Sequence, residues 1–191
     1  MSILISVEAE DRLLCVIGNR LLEEFGKKYK IEGGAQDSKG HPDSKGGIEK
    51  NAPAWNLAAG DGNVRMVLMD MDELAFPHNK NKCPESEILR VLKGKKKHDN
   101  FLFRIAVFES ESWLLADRDG FSNFFKVPVA NIPEGIDGLK NAKERSQKII
   151  RGSRINKRLV DFAKSDWKPK RAARNSKSLR RTLERLDKFG G

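Results

Sequence analysis

Four short apolar runs punctuate the first part of the chain: "ILISVE" at 3–8, "KYKIEGG" at 28–34, "VRMVLMD" at 64–70 and "FLFRIAVFE" at 101–109. The segments between them carry a different period. Over 11–26 the apolar residues Leu13, Leu14, Val16, Ile17, Leu21, Leu22 and Phe25 fall on one side of a 3.6-residue repeat, and Gly26 is a natural stop. "IEKNAPAWNLAA" at 48–59 and "CPESEILRVLKG" at 83–94 also read as helices, the second with Pro84 near its first turn. Short strands separated by helices need crossover connections, and crossovers pair strands in parallel. The expected fold is therefore α/β, a mostly parallel central sheet flanked by helices, over residues 1–130.

Residues 131–191 have another character. "SESWLLADRDGFSNFF" at 110–125 is expected to be helical with a break near Asp119–Gly120, and "VPVANIPEGIDG" is a connecting loop that leads into the basic region. "LKNAKERSQKIIRGSR", "NKRLVDFAKSDW" and "SKSLRRTLERLDKF" are helical and basic, with Ser176 or Ser178 placed to cap the last of them. Trp113 lies at helical spacing from Ala116 and reads as a core residue. Residues 33–47, rich in Gly, Ser and Asp, are expected to form a long loop, as are residues 73–82.

Charge divides the chain in the same way. The 191-residue chain has a net charge of +10, yet residues 140–191 hold 18 Lys and Arg against 5 Asp and Glu, while the first 139 residues hold 19 against 22. A polyanion, most simply nucleic acid, fits that asymmetry; a solubilising helical surface is the alternative. The two cysteines, Cys15 and Cys83, form no CxxC pair, which suits a reduced cytoplasmic protein. No basic, apolar leader opens the sequence, and no apolar stretch approaches the ~18 residues a membrane helix needs, so no membrane partner is expected. A GxxxxGK[ST] phosphate loop is also missing, so nucleotide hydrolysis would have to come from a partner.

The run at 64–70 continues as "MDMDE", an apolar strand that ends in acids. Side chains alternate along an extended chain, so Asp70 and Asp72 point the same way. In open parallel sheets ligands bind beyond the carboxyl ends of the strands. The first run ends at Glu8 and the fourth at Glu109 and Glu111, so three strands are expected to deliver acids to one edge. An all-carboxylate set suits Mg²⁺ or Mn²⁺, and the three histidines show no zinc-type spacing. Such sites serve phosphoryl and phosphodiester chemistry. The competing reading makes Asp70–Asp72 a strand exit that uses Asp for turn chemistry. A haloacid-dehalogenase-like phosphatase would place its DxD on the first strand, whereas a full strand–helix–strand precedes this one.

A strand ending in Glu, a helix, and a later strand ending in Asp-x-Asp resemble the Toprim domain of topoisomerases, primases and the overcoming-lysogenization-defect nucleases. Over nearly the whole chain, through "LFRIAVFESESWLLADRDGF" and "SDWKPKRAARNSKSLRRTLERL", the sequence resembles a group of small bacterial Toprim-like proteins, the DUF4276-like group. The resemblance implies a metal-dependent nuclease working beside an ATPase in anti-phage defence. Glu8 would match the Toprim glutamate, although Ala9 stands where glycine usually comes next, and Asp70 and Asp72 would match the metal-binding DxD. Glu10, Asp11 and Glu73 are equally readable as solvated helix-start acids that favour the local dipole. Glu111, with Glu109, would support a second ion or orient water. Arg104, Lys143, Arg174 and Arg180 are the nominated phosphate contacts, each equally readable as a surface charge. The partners implied are DNA or RNA, an ATPase, and further copies of the same chain. The alternative function is a non-catalytic nucleic-acid-binding or assembly subunit that keeps a Toprim scaffold.

Overall fold

The structure, a computed structural model, describes residues 2–32, 45–62, 64–71, 84–107 and 109–189. Strand β1 (Ile3–Ala9) leads into helix α1 (Arg12–Glu23), β2 (Tyr29–Ile31), α2 (Lys45–Ala58), β3 (Val64–Met71), α3 (Pro84–Val91) and β4 (Phe101–Val107). The four strands form one parallel sheet in the order β2-β1-β3-β4, flanked by helices, as the alternating periodicities require. By its contacts the chain divides into two units, Met1–Ile105 and Ala106–Gly191. The division expected from the sequence pattern falls later, at 130/131, and the change in charge later still, at 139/140.

In the first unit the register explains which faces are buried. Ile5 pairs with Val64 and Ala9 with Leu68, so Val7, Ala9, Met66 and Leu68 share one side. Helix α1 covers that side, started by Asp11, whose carboxylate accepts from the Leu14 amide at 2.8 Å. Gly18 lets it approach closely: a Cβ there would lie 2.7 Å from Val7 Cγ1 and 2.8 Å from Leu68 Cδ1. The other side packs Val67, Met69, Phe101, Phe103 and Ile105 against Ile48 and Ala52 of α2 and Val91 of α3. The loop expected at 33–47 lies outside the described residues up to 44, with α2 beginning at Lys45, and the loop expected at 73–82 also lies outside them.

The second unit is helical: α4 (Glu111–Leu115), α5 (Arg118–Phe125), α6 (Ala142–Ile150), α7 (Ile155–Ser165), α8 (Pro169–Ala172) and α9 (Lys177–Lys188). The break expected near Asp119–Gly120 falls earlier, at Ala116–Asp117, because Asp117 caps α5 through the Gly120 amide at 3.4 Å. Asp117 is fully buried. It is held by the Lys168 amide at 2.9 Å and by Arg171, whose Nη2 donates at 2.9 Å and whose Nε also donates to it. Bonded to this carboxylate, the Arg171 guanidinium is held above its ordinary pKa. Trp113 is fully buried, as its spacing predicts, and its Nε1 donates to Ser178 Oγ at 2.8 Å. Ser176 caps α9 through the Leu179 amide. Among the described residues no helix is long and apolar enough to cross a membrane.

Gly120 sits inside α5, where alanine would ordinarily be favoured by about 1 kcal/mol. Here a Cβ would fall 2.6 Å from Asp117 Oδ2 and against Arg171 Nη2. Gly120→Ala is therefore expected to destabilise the protein by about 1–3 kcal/mol, read as a lowered denaturant midpoint with an unchanged slope.

Candidate functional site

The carboxyl ends of β1 and β3 lie side by side at the middle of the sheet. Three acids arrive there within the described residues: Glu8 and Glu10 from the end of β1, and Asp70 from the end of β3. The register separates them. Glu8 pairs with Val67 and so shares the face of Val67 and Met69, the side covered by α2 and α3. Asp70, three residues beyond Val67, alternates to the side of Met66 and Leu68.

Glu8 is 2% exposed and forms an ion pair with Arg65, Nη1 to Oε1 at 2.5 Å. Ser6 is the register partner of Arg65, which puts the arginine on the same face as Glu8. The Arg65 guanidinium lies 5.4 Å from the centre of the Trp55 ring on α2. A carboxylate this buried needs a partner, and a cation stacked on an aromatic face is a well-anchored one.

Glu10 takes the place that the sequence pattern gives to Glu8. Its amide donates to the Leu68 carbonyl at 3.2 Å, extending the ladder past the strand end. Its Oε2 accepts from the Asp70 amide at 3.0 Å. The structure thus brings Glu10, not Glu8, to Asp70. Strict alternation gives Glu10 the face of Glu8, opposite to Asp70; it meets Asp70 because it lies just after the last residue of β1, where alternation no longer binds. Asp72 lies outside the described residues.

Glu109 and Glu111 belong to the second unit, and the strand does not carry them. β4 stops at Val107, and Glu109 adopts a positive φ of 84° that turns the chain into α4. The carboxylate of Glu109 accepts from the Lys143 amide at 2.8 Å, and its carbonyl accepts from Ser112 Oγ at 2.8 Å. Glu111 is therefore the first residue of a helix, where a negative charge suits the dipole, and it is buried beside Ser110, whose Oγ donates at 3.4 Å. Of the nominated phosphate contacts, Arg104 is half-buried on β4, while Lys143, Arg174 and Arg180 lie at the surface of the second unit. On α9, Leu179, Thr182, Leu183 and Leu186 are buried, leaving Arg180, Arg181, Arg185 and Lys188 exposed.

Among the described residues, no three of His, Cys, Asp and Glu are grouped closely enough to hold a metal ion. Glu10 and Asp70 carry oxygen donors of the kind a hard divalent ion takes, but among the described residues they are two and not the three or more such a site needs. The Glu8–Arg65 pair does not fit one, because the arginine already neutralises the acid. No family model matches the chain, and no curated protein or solved structure shows significant similarity to it.

The ion pair makes a testable claim about Glu8. Arg65→Met leaves a buried carboxylate without its cation and is expected to cost about 2–4 kcal/mol in denaturant unfolding. The double variant Glu8→Gln/Arg65→Met is expected to recover a large part of that loss. Equal loss in both would contradict the pairing.

Proposed function

We propose that the chain is a divalent-metal-dependent nuclease of Toprim-like type, hydrolysing phosphodiester bonds in nucleic acid within the cytoplasm. The observation that carries it is the convergence of Glu10 and Asp70 at the carboxyl ends of two adjacent central parallel strands, with Asp72 two residues further on. Asp70, Asp72 and Glu10 would hold Mg²⁺ or Mn²⁺, which when bound neutralises phosphate oxygens and acidifies water. In this reading the Asp70 amide fixes the Glu10 carboxylate, and Glu8 supports the strand end through Arg65 rather than binding the ion. Glu109 likewise acts as a cap for the start of α6, through the Lys143 amide. The exposed cations of α9 and Arg174 would bind the phosphate backbone. An ATPase partner, in an anti-phage defence setting, is the assembly that the sequence resemblance adds.

A second reading is favoured by the arginine that occupies Glu8: a non-catalytic nucleic-acid-binding subunit on the same scaffold. The two separate in one experiment. Purified protein, alone and with a co-purifying ATPase, is incubated with plasmid DNA and with RNA in Mg²⁺ or Mn²⁺. The nuclease reading predicts cleavage that EDTA stops, that Glu8→Gln largely keeps, and that Asp70→Asn, Asp72→Asn or Glu10→Gln lowers by roughly 100-fold or more. No cleavage under any of these conditions would falsify it. For the binding surface, neutralising Arg174, Lys177, Arg180 and Arg181 together should weaken DNA binding and flatten its log–log salt slope by roughly 3–4.

A further inference from the structure

The second unit holds an open cavity of about 520 Å³ that the sheet-edge acids do not explain. Its cationic side is Arg118 and Arg145, its polar side includes Asn131, and its apolar wall includes Ile132, Pro133 and Leu139. A smaller cavity of about 190 Å³ shares Arg118, Pro133 and Glu134 and reaches Asn175. The larger volume is in the range that small organic ligands occupy.

Arg118 is built into place. It is the first residue of α5, directly after Asp117, the fully buried acid that Arg171 and the Lys168 amide hold. Its Nη2 donates to the Val129 carbonyl at 3.2 Å, and its Nη1 donates to Glu134 Oε1 at 2.8 Å. Its Nε is buried and meets no acceptor among the described residues. Glu134 is 82% exposed, and an ion pair that open to water contributes little, so a stronger anion can replace it. Arg145 is exposed on α6 and makes no ion pair among the described residues.

We propose that this cavity binds a nucleotide through its phosphate. The phosphate takes the place of the Glu134 carboxylate on Arg118, and Arg145 closes on its other oxygens, the geometry in which guanidinium groups bind phosphate best. The wall of Pro133 and Leu139 offers an apolar surface to the base, and the Asn131 amide offers a donor and an acceptor to its edge. Two arginines on a cavity of this shape select a compact anion with an attached planar apolar group, rather than an extended duplex backbone. The site is separate from the metal-dependent reaction proposed above and stands whether or not the chain cuts nucleic acid.

The test is calorimetry on the full chain with 5′-AMP, 5′-UMP, adenosine, orthophosphate and a 5′-phosphorylated trinucleotide. Expected is saturable binding of at least one mononucleotide, with adenosine and orthophosphate each roughly tenfold weaker or worse. Arg145→Ala, an exposed change expected to leave the melting temperature unaltered, should weaken that binding roughly tenfold or more, and Glu134→Gln should tighten it. A trinucleotide that binds more tightly than the mononucleotide identifies the end of a nucleic-acid strand as the ligand; equal affinity identifies the free nucleotide. No saturable nucleotide binding, equal affinity for orthophosphate, or an Arg145→Ala variant that binds as the wild type does would overturn the proposal.

Discussion

The pairing of β1 with β3 is the interaction on which the first unit depends. The two strands are neighbours in space but far apart in sequence, so their register must be set by what each face buries. Ala9 against Leu68 places small and aliphatic residues beneath α1, where Gly18 allows the helix to sit close. The same register puts Val67 and Met69 into the core beneath α2 and α3. A slip by one residue would exchange these faces and expose both sets. The acids at the strand ends inherit their directions from this apolar arrangement. Glu8 is carried under the sheet to Arg65, and Asp70 is carried to the opposite side, beside Glu10.

Arg65 shows how a polar residue can be dictated by a register. It sits near the start of β3, just before the apolar run Met66–Met69, at a position where a charge looks misplaced. Its face is that of Glu8, and its guanidinium is held over Trp55. Each of the three residues accounts for another: the acid for the arginine, the arginine for the tryptophan on α2. In the second unit Asp117 has the corresponding role. One buried carboxylate fixes the start of α5, the approach to α8 through the Lys168 amide, and the side chain of Arg171, and it requires glycine at position 120.

Much of this architecture is legible in the sequence, because the longer strands and helices announce their own periods. The strands at 3–9, 64–71 and 101–107, the helix after the first strand, the burial of Trp113 and the cap at Ser176 arise from local pattern. What escapes local pattern is set between elements. The face of Glu8 relative to Asp70 depends on the β1–β3 register, which no single segment contains. Glu111 looks like a strand-end acid because "FLFRIAVFE" is apolar almost throughout, yet the positive φ at Glu109 ends the strand and starts a helix two residues later. The short helix α8 is too brief for periodicity to reveal, and its Pro169 is the sole local sign of it. The cationic side of the second-unit cavity is equally silent, since Arg118 and Arg145 are far apart in sequence and only the fold brings them to one space.

The central claim is that the carboxylates at the β1 and β3 ends hold a divalent ion while Glu8 does not. Titration of Mn²⁺ monitored by electron paramagnetic resonance measures this without reference to any reaction. The account predicts stoichiometric Mn²⁺ binding that Asp70→Asn abolishes or weakens by roughly 100-fold and that Glu8→Gln leaves nearly intact. Absence of Mn²⁺ binding, or binding lost with Glu8→Gln and kept with Asp70→Asn, would contradict it.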